Sequence, residues 1–211
     1  MIIKRLVLGP LQVNTYIIKS RGECLVVDPG ECIGEEISRL GCRRIIVAVT
    51  HGHFDHTQGV DCLKDDGATL AAHPLEPQVA RESASLARAW GLKAHTQEAE
   101  PDLELGEGDT LEIGGLAFRA IHTPGHSPDH IILYNEDPPL ALVGDLIFMG
   151  SIGRVDLPGS NPRDMKASIE KAKSVISPQA RLLPGHGPET SMEGELERNP
   201  FLRNPSLILP P

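Results

Sequence analysis

The chain has 211 residues, 40% of them apolar, with no repeat or low-complexity run, which is enough to enclose a core of its own. Its formal charge of −9 excludes a nucleic-acid binder that works through a basic face, and no segment approaches the ~20 apolar residues of a membrane span. Met1 to Pro10 lacks the apolar run of an export signal, so a soluble, cytoplasmic protein with no nucleic-acid or membrane partner is expected.

The four cysteines, Cys24, Cys32, Cys42 and Cys62, show no Cys-x-x-Cys spacing and are expected to be buried free thiols in a reducing compartment.

In chain order, runs rich in Val and Ile predict strands at Ile2–Leu8, Thr15–Lys19, Leu25–Asp28 and Ile45–Thr50. Ile33, Ile37 and Leu40, spaced by four and three, predict a short helix between the last two. A second helix is expected from Thr57 to about Lys64, then a strand at Ala68–Ala72. Residues 77–90 predict a longer helix, begun by Pro77 and ended by Gly91, with Val79, Leu86 and Trp90 on one side. Further strands are expected at Thr110–Ile113, Leu116–Ile121, Ile131–Tyr134, Ala141–Val143 and Arg181–Leu183. Asn161-Pro162 opens a helix with Met165, Ile169, Ala172 and Ile176 on one stripe, and a short helix lies near Glu193–Arg198. With no composition break, one α/β domain over residues 1–211 is expected, its two sheets packed face to face under outer helices.

His51-Gly52-His53-Phe54-Asp55-His56 follows the strand at Ile45–Thr50 and carries four possible metal ligands in six residues. A helix cannot aim residues two apart at one point, whereas a loop leaving a strand can, so a loop is expected. Imidazoles with a carboxylate suit zinc, iron or manganese better than magnesium or calcium. Three more motifs close strand patterns: Thr123-Pro124-Gly125-His126-Ser127, Gly144-Asp145, and Pro184-Gly185-His186-Gly187. Their small, turn-forming residues let the backbone curl around an ion.

In these motifs, in this order, the sequence resembles the metallo-β-lactamase-fold superfamily, and within it the glyoxalase II-like (hydroxyacylglutathione hydrolase-like) hydrolases. The resemblance runs from Asn14-Thr15-Tyr16 to Asn199-Pro200-Phe201-Leu202. It implies a four-layer αββα sandwich of two mixed β-sheets. It implies one metal held by His51, His53 and His126, a second held by Asp55, His56 and His186, and Asp145 bridging them. Asp55 and Asp145 are the expected catalytic carboxylates. Two divalent cations, zinc first and iron or manganese as alternatives, would lower the pKa of a shared bridging water toward about 7. A small-molecule thioester of the S-lactoylglutathione type is the implied substrate. Gly153 and Arg154 align with a segment that grips the glutathione carboxylate. Asp156 replaces a common tyrosine there, and the C-terminal helical domain of longer relatives is not expected. The resemblance also allows an alternative, an iron-dependent glutathione persulfide dioxygenase, because those enzymes share a Gly-Arg-x-Asp segment. A cysteine among the second-site ligands, found in secreted β-lactam hydrolases, is absent from these motifs.

His73, His95, His122 and His130 lie outside the motifs and are expected in surface or hydrogen-bonded structural roles, with His122 and His130 near enough in sequence to support His126. Asp28, before Pro29-Gly30, either starts a turn or orients a ligand from behind.

Overall fold

A computed structural model describes residues 1–209. Two mixed sheets form the centre. The first contains β1 (Ile2–Leu8), β2 (Val13–Ser20), β3 (Glu23–Val27), β4 (Arg44–Ala48), β5 (Thr69–Ala72) and β6 (Leu103–Glu104), side by side in that order. Its first three strands are antiparallel, and β3 through β6 run parallel. The second begins with β7 (Thr110–Ile113), β8 (Leu116–His122), β9 (Ile131–Glu136) and β10 (Pro139–Gly144) as an antiparallel meander. The chain then forms a small hairpin, β11 (Ile147–Phe148) and β12 (Ser151–Ile152). It returns as β13 (Arg181–Pro184), parallel to β10, with β14 (Thr190–Ser191) at the edge.

Alternation along the strands decides the layering. Tyr16, Ile18, Leu25, Val27, Ile46 and Ala48 turn inward from the first sheet and meet Ile113, Phe118, Ile131, Leu133 and Leu142 of the second. The opposite faces are covered by helices. On the first sheet lie α1 (Gly34–Leu40) and α3 (Val60–Asp65), which contribute Ile37, Val60 and Leu63. On the second lies α5 (Pro162–Val175), whose expected stripe of Met165, Ile169 and Ala172 is fully buried. Asn161 caps α5, its side chain accepting from the N–H groups of Arg163 and Asp164. The helices α6 (Met192–Arg198) and α7 (Pro200–Arg203) finish this layer. The four-layer αββα sandwich is therefore the fold, and no helix among the described residues is long and apolar enough to cross a membrane.

The structure corrects two expectations. The cysteines are not free thiols: Cys24 pairs with Cys42 and Cys32 with Cys62, each across a Cα–Cα distance of 5.8 Å. The partners are 18 and 30 residues apart and meet only because the helical crossovers return beside their starting strands. The second correction concerns α4 (Glu76–Ala89). Its buried side includes Val79, Ala80, Ala84 and Ala87, the last two packed on Phe54. Of the predicted stripe, Val79 is buried, but Leu86 is only half-buried and Trp90, at the C-cap, is 59% exposed. Small alanines let α4 approach closely and leave Leu86 and Trp90 facing outward.

Glu76, at the start of α4, is fully buried, with Oε2 accepting from Gln97 Nε2 at 3.0 Å and Oε1 without a partner among the described residues. Burial pushes its carboxyl up to about 8, against the lowering effect of Gln97. The native state thus holds a proton that the unfolded chain, with an ordinary value of 4.5, releases. Stability from this group is full below 4.5 and is lost as pH rises toward about 8. Glu76→Gln is expected to flatten that decline and to be the more stable protein at pH ~8, by on the order of 1–3 kcal/mol. Urea unfolding of both proteins across this range checks the difference.

Candidate metal centre

The carboxyl ends of β3, β4, β8, β10 and β13 meet at one edge of the sandwich, and every predicted ligand lies just beyond one of the last four. The first motif divides in two. His51 and His53 leave β4 in a loop, as expected, but Phe54–Thr57 forms a single helical turn, α2, which carries Asp55 and His56. Extended backbone at His53 (φ −66°, ψ 139°) aims the loop histidines at the same region as the helical pair. Only glycine fits between them, because a Cβ on Gly52 would lie 2.7 Å from both Ala80 N and Glu76 O on α4.

The structure brings all seven predicted ligands together. Ring nitrogens of His51, His53 and His126 lie within 4.8 Å of one another, and so do donor atoms of Asp55, His56 and His186. Asp145 stands between these groups. Its Oδ2 is 3.5 Å from His126 Nε2 on one side and 3.5 Å from His186 Nε2 on the other, and its Oδ1 is 3.6 Å from His56 Nε2. Asp55 Oδ2 is 3.2 Å from His186 Nε2 and 3.6 Å from His56 Nε2.

His56 Nε2, His126 Nε2 and Asp145 Oδ1 are buried and have no hydrogen-bond partner among the described residues. Buried polar atoms are normally satisfied, so several orphans converging on one space fit a cation-binding centre. The donor set of imidazoles and carboxylates fits zinc, iron or manganese. Gly185 completes the cradle: a Cβ there would come within 2.2 Å of Asp145 Oδ1.

The electrostatics agree. Burial holds His51 and His53 well below the ordinary imidazole value, which keeps their donor nitrogens neutral. Burial also opposes charge on His56, but Asp55, Asp145 and Asp28 outweigh it and push that ring up to about 10. Burial would raise Asp55, yet His56, His186 and His53 hold its carboxyl lowered and ionised. A cation entering the second group must therefore displace the His56 proton.

Behind the ligands lies a second layer of hydrogen bonds. Asp28 Oδ1 accepts from Thr50 N–H and Oδ2 from Thr50 Oγ1, both at 2.7 Å, and Oδ2 faces His56 Nδ1 at 3.0 Å. Asp28 also starts the turn, at a positive φ of 53°, so both readings of this residue hold. Asp28→Asn is expected to weaken cation affinity 10–100-fold with the fold retained, measured by chelator competition. His130 Nε2 accepts from the Asp145 N–H at 3.1 Å, which leaves the proton on Nδ1 to donate to Thr123 Oγ1 at 2.9 Å. His122 supports no ligand: it stacks on His73 at 4.5 Å and contacts Pro128 O. His95 pairs with Asp61 at 2.7 Å, away from the centre.

Three supporting residues, Asp129, Asn14 and Tyr16, were given no role from the sequence. Asp129 accepts from Gly52 N–H and Ser127 Oγ, both at 2.6 Å, and so ties the first ligand loop to the third; burial pushes its carboxyl up to about 6. Its Ser-Pro-Asp context reads as an ordinary turn. Asn14 Nδ2 donates to the carbonyls of Pro184 and Gly187 at 2.8 Å each, and Tyr16 Oη to Pro184 O at 3.1 Å. Asn14 and Tyr16 thus hold the His186 turn from the other sheet, and a polar residue opening an apolar strand was the available signal.

Gly153 is buried and does not line the substrate space. A Cβ there would lie 1.9 Å from Asp145 O and 3.1 Å from His126 Nδ1, so the residue packs behind the centre. Arg154 does reach the space, but its guanidinium is in a two-point pair with Asp156 at 2.6 and 2.8 Å, while its carbonyl accepts from His126 Nδ1 at 2.8 Å. A cavity of ≈ 860 Å³ opens over His53, Asp55, His126, Asp145 and His186, between α4 and the segment 148–159.

Comparisons with known proteins agree with this geometry. Residues 8–186 match the Metallo-beta-lactamase superfamily. A probable metallo-hydrolase of Bacillus subtilis, YqgX, is 35% identical over 209 residues, 97% of this chain and 99% of its own. The hydroxyacylglutathione hydrolase GloC of Haemophilus influenzae is 30% identical over 187 residues, 86% of this chain and 88% of its own. Among solved structures, TTHA1623 in a di-iron-bound form has a TM-score of 0.83 and 34% identity, covering 94% of this chain and 99% of its own. The B3 metallo-beta-lactamase BLEG-1 also has a TM-score of 0.83, with 31% identity over 95% of this chain and 99% of its own.

Proposed function

The chain belongs to the metallo-β-lactamase superfamily as a metallo-hydrolase, and on that premise we propose that it cleaves thioesters at a centre of two divalent cations. The observation that carries this reading is Asp145, placed between two complete donor groups with an oxygen toward each. His51, His53 and His126 would hold one cation, Asp55, His56 and His186 the other, with Asp145 shared. When bound, such a pair supplies an activated water near neutral pH and a Lewis acid for the substrate carbonyl.

The chain's own residues do the rest. His130 and Asp28 fix the orientation of Asp145 and His56. Asp55 is kept ionised by its histidine neighbours, as a carboxylate that is to hold a cation must be, and faces His186 Nε2 at 3.2 Å. The cavity between α4 and segment 148–159 gives the reacting carbonyl a walled approach to the ligands. Zinc is the first choice of metal, with iron or manganese as alternatives, and S-acylglutathiones such as S-lactoylglutathione are the first substrates to try. The likeness to GloC supports the choice of substrate, and the likeness to a di-iron-bound structure supports a pair of metals and names iron as the alternative to test beside zinc. The completeness of the second donor group weighs against a persulfide dioxygenase, whose single iron would leave it idle.

Metal analysis and thioester turnover on one purified sample test the reading. About two cations per chain, thiol release, and loss of release on chelation are expected. About one iron with oxygen uptake on glutathione persulfide would overturn it in favour of the dioxygenase. Turnover of a β-lactam such as nitrocefin with no thioester cleavage would move the substrate class instead.

A further inference from the structure

The walls of the substrate cavity carry information that its floor does not. One wall is the outward side of α4, where Val79, Leu86 and Trp90 line the space. The facing wall is the hairpin and the segment after it, with Phe148, Ile152 and Leu157. Val79 is buried and Ile152 packs partly on the second sheet's outer core, but Trp90 is 59% exposed and Leu86, Phe148 and Leu157 are half-buried, so these large apolar side chains keep surface toward the cavity. The core packing of α4 is done by Val79, Ala80, Ala84 and Ala87, so Leu86 and Trp90 are not needed to dock the helix.

The charges on these walls are equally informative. Apart from the predicted ligands, the charged side chains lining the cavity, among the described residues, are Arg154 and Glu82. Arg154 is answered at two points by Asp156, and Glu82 is negative. Nothing on the walls offers a free cation to the carboxylates of an anionic carrier. At ≈ 860 Å³ the cavity is also far larger than a lactoyl or acetyl group requires and sits toward the upper end of ligand sites.

We infer that the site selects acyl substrates by a long, neutral, apolar chain laid between α4 and segment 148–159, and not by the charge of the group that carries the acyl. The inference rests on the placement of the cavity over the metal centre and deepens the hydrolase reading by naming the part of the substrate that is recognised.

The test separates binding from turnover. Two thioethers that cannot be hydrolysed, S-ethyl- and S-octyl-N-acetylcysteamine, are titrated into the metal-loaded protein by calorimetry. The octyl compound is expected to bind on the order of 100-fold tighter, since each buried methylene contributes up to about fourfold and the cavity is open on one side. Leu86→Asp should abolish this advantage, and Trp90→Ala, at a position exposed enough to change without loss of fold, should reduce it about fivefold or more. Equal affinities, or no measurable binding of either compound, would overturn the inference. The corresponding octanoyl and acetyl thioesters are then assayed separately. An octyl preference with no thioester cleavage would sink the proposed reaction while leaving the apolar site standing. Efficient cleavage without chain-length preference would do the reverse.

Discussion

Asp145→Ala is expected to lower hydrolysis by at least about 10³-fold and to leave the protein unable to retain a pair of cations. The carboxylate ends β10, where Gly144 at a positive φ of 46° turns the chain toward the sheet edge. Its two oxygens face different histidines, with His56 toward Oδ1 and His126 and His186 toward Oδ2. No neighbouring side chain can replace it, because Asp55 is already directed at His56 and His186. Alanine removes the carboxylate that, among the described residues, faces both donor sets, without adding bulk. Metal content by elemental analysis and kcat/KM on the same preparation check the prediction. An alanine variant that kept two cations and full turnover would remove the case for a bridging role.

Gly153→Ala is expected to cost about 3 kcal/mol or more of stability, a fall of roughly 6–12 °C in Tm for a domain of this size. The reason is where the added methyl would go. It would overlap the carbonyl oxygen of Asp145 at 1.9 Å, a backbone atom that cannot swing aside, and would crowd His126 Nδ1 at 3.1 Å. Relief requires segment 150–154 to move away from β10, and Arg154 O would then lose its hydrogen bond from His126. A folded but loosened protein should therefore also hold its cations less tightly. Thermal unfolding with and without chelator checks both effects. An unchanged Tm would mean that the segment has slack the packing does not reveal.

The ligand set was legible in the sequence because each donor motif follows an apolar strand and is flanked by residues that permit a tight turn. His51, His53, His126, Asp145 and His186 all have this form. Most strands were legible for the same reason, with ends displaced by a residue or two. The two-residue strands β6, β11, β12 and β14 were not, since they are too short to show alternation. The α4 stripe shows a different limit. A period of 3.6 reports that a helix has an apolar side, but not whether that side meets a core or a cavity. Val79, Leu86 and Trp90 satisfy the pattern, yet only Val79 is buried, and the alanines beside them complete the packing. The cysteine pairs were hidden because only the crossovers of the first sheet bring residues 18 and 30 apart together. Asp129 was hidden because a carboxylate holding a loop through Gly52 N–H has no sequence mark that separates it from one starting a turn.

His51, His53, Asp55 and His56 come from the first sheet, while His126, Asp145 and His186 come from the second. Each cation held as proposed would be gripped from both halves of the sandwich, beside the Asn14 and Tyr16 contacts that already cross the same gap. The centre is then a rivet as well as a reactor. Parting the sheets would require the ions to leave first, whereas a chain still collapsing has not yet built their seat. Chelation should for this reason shorten the lifetime of the folded state far more than it delays refolding.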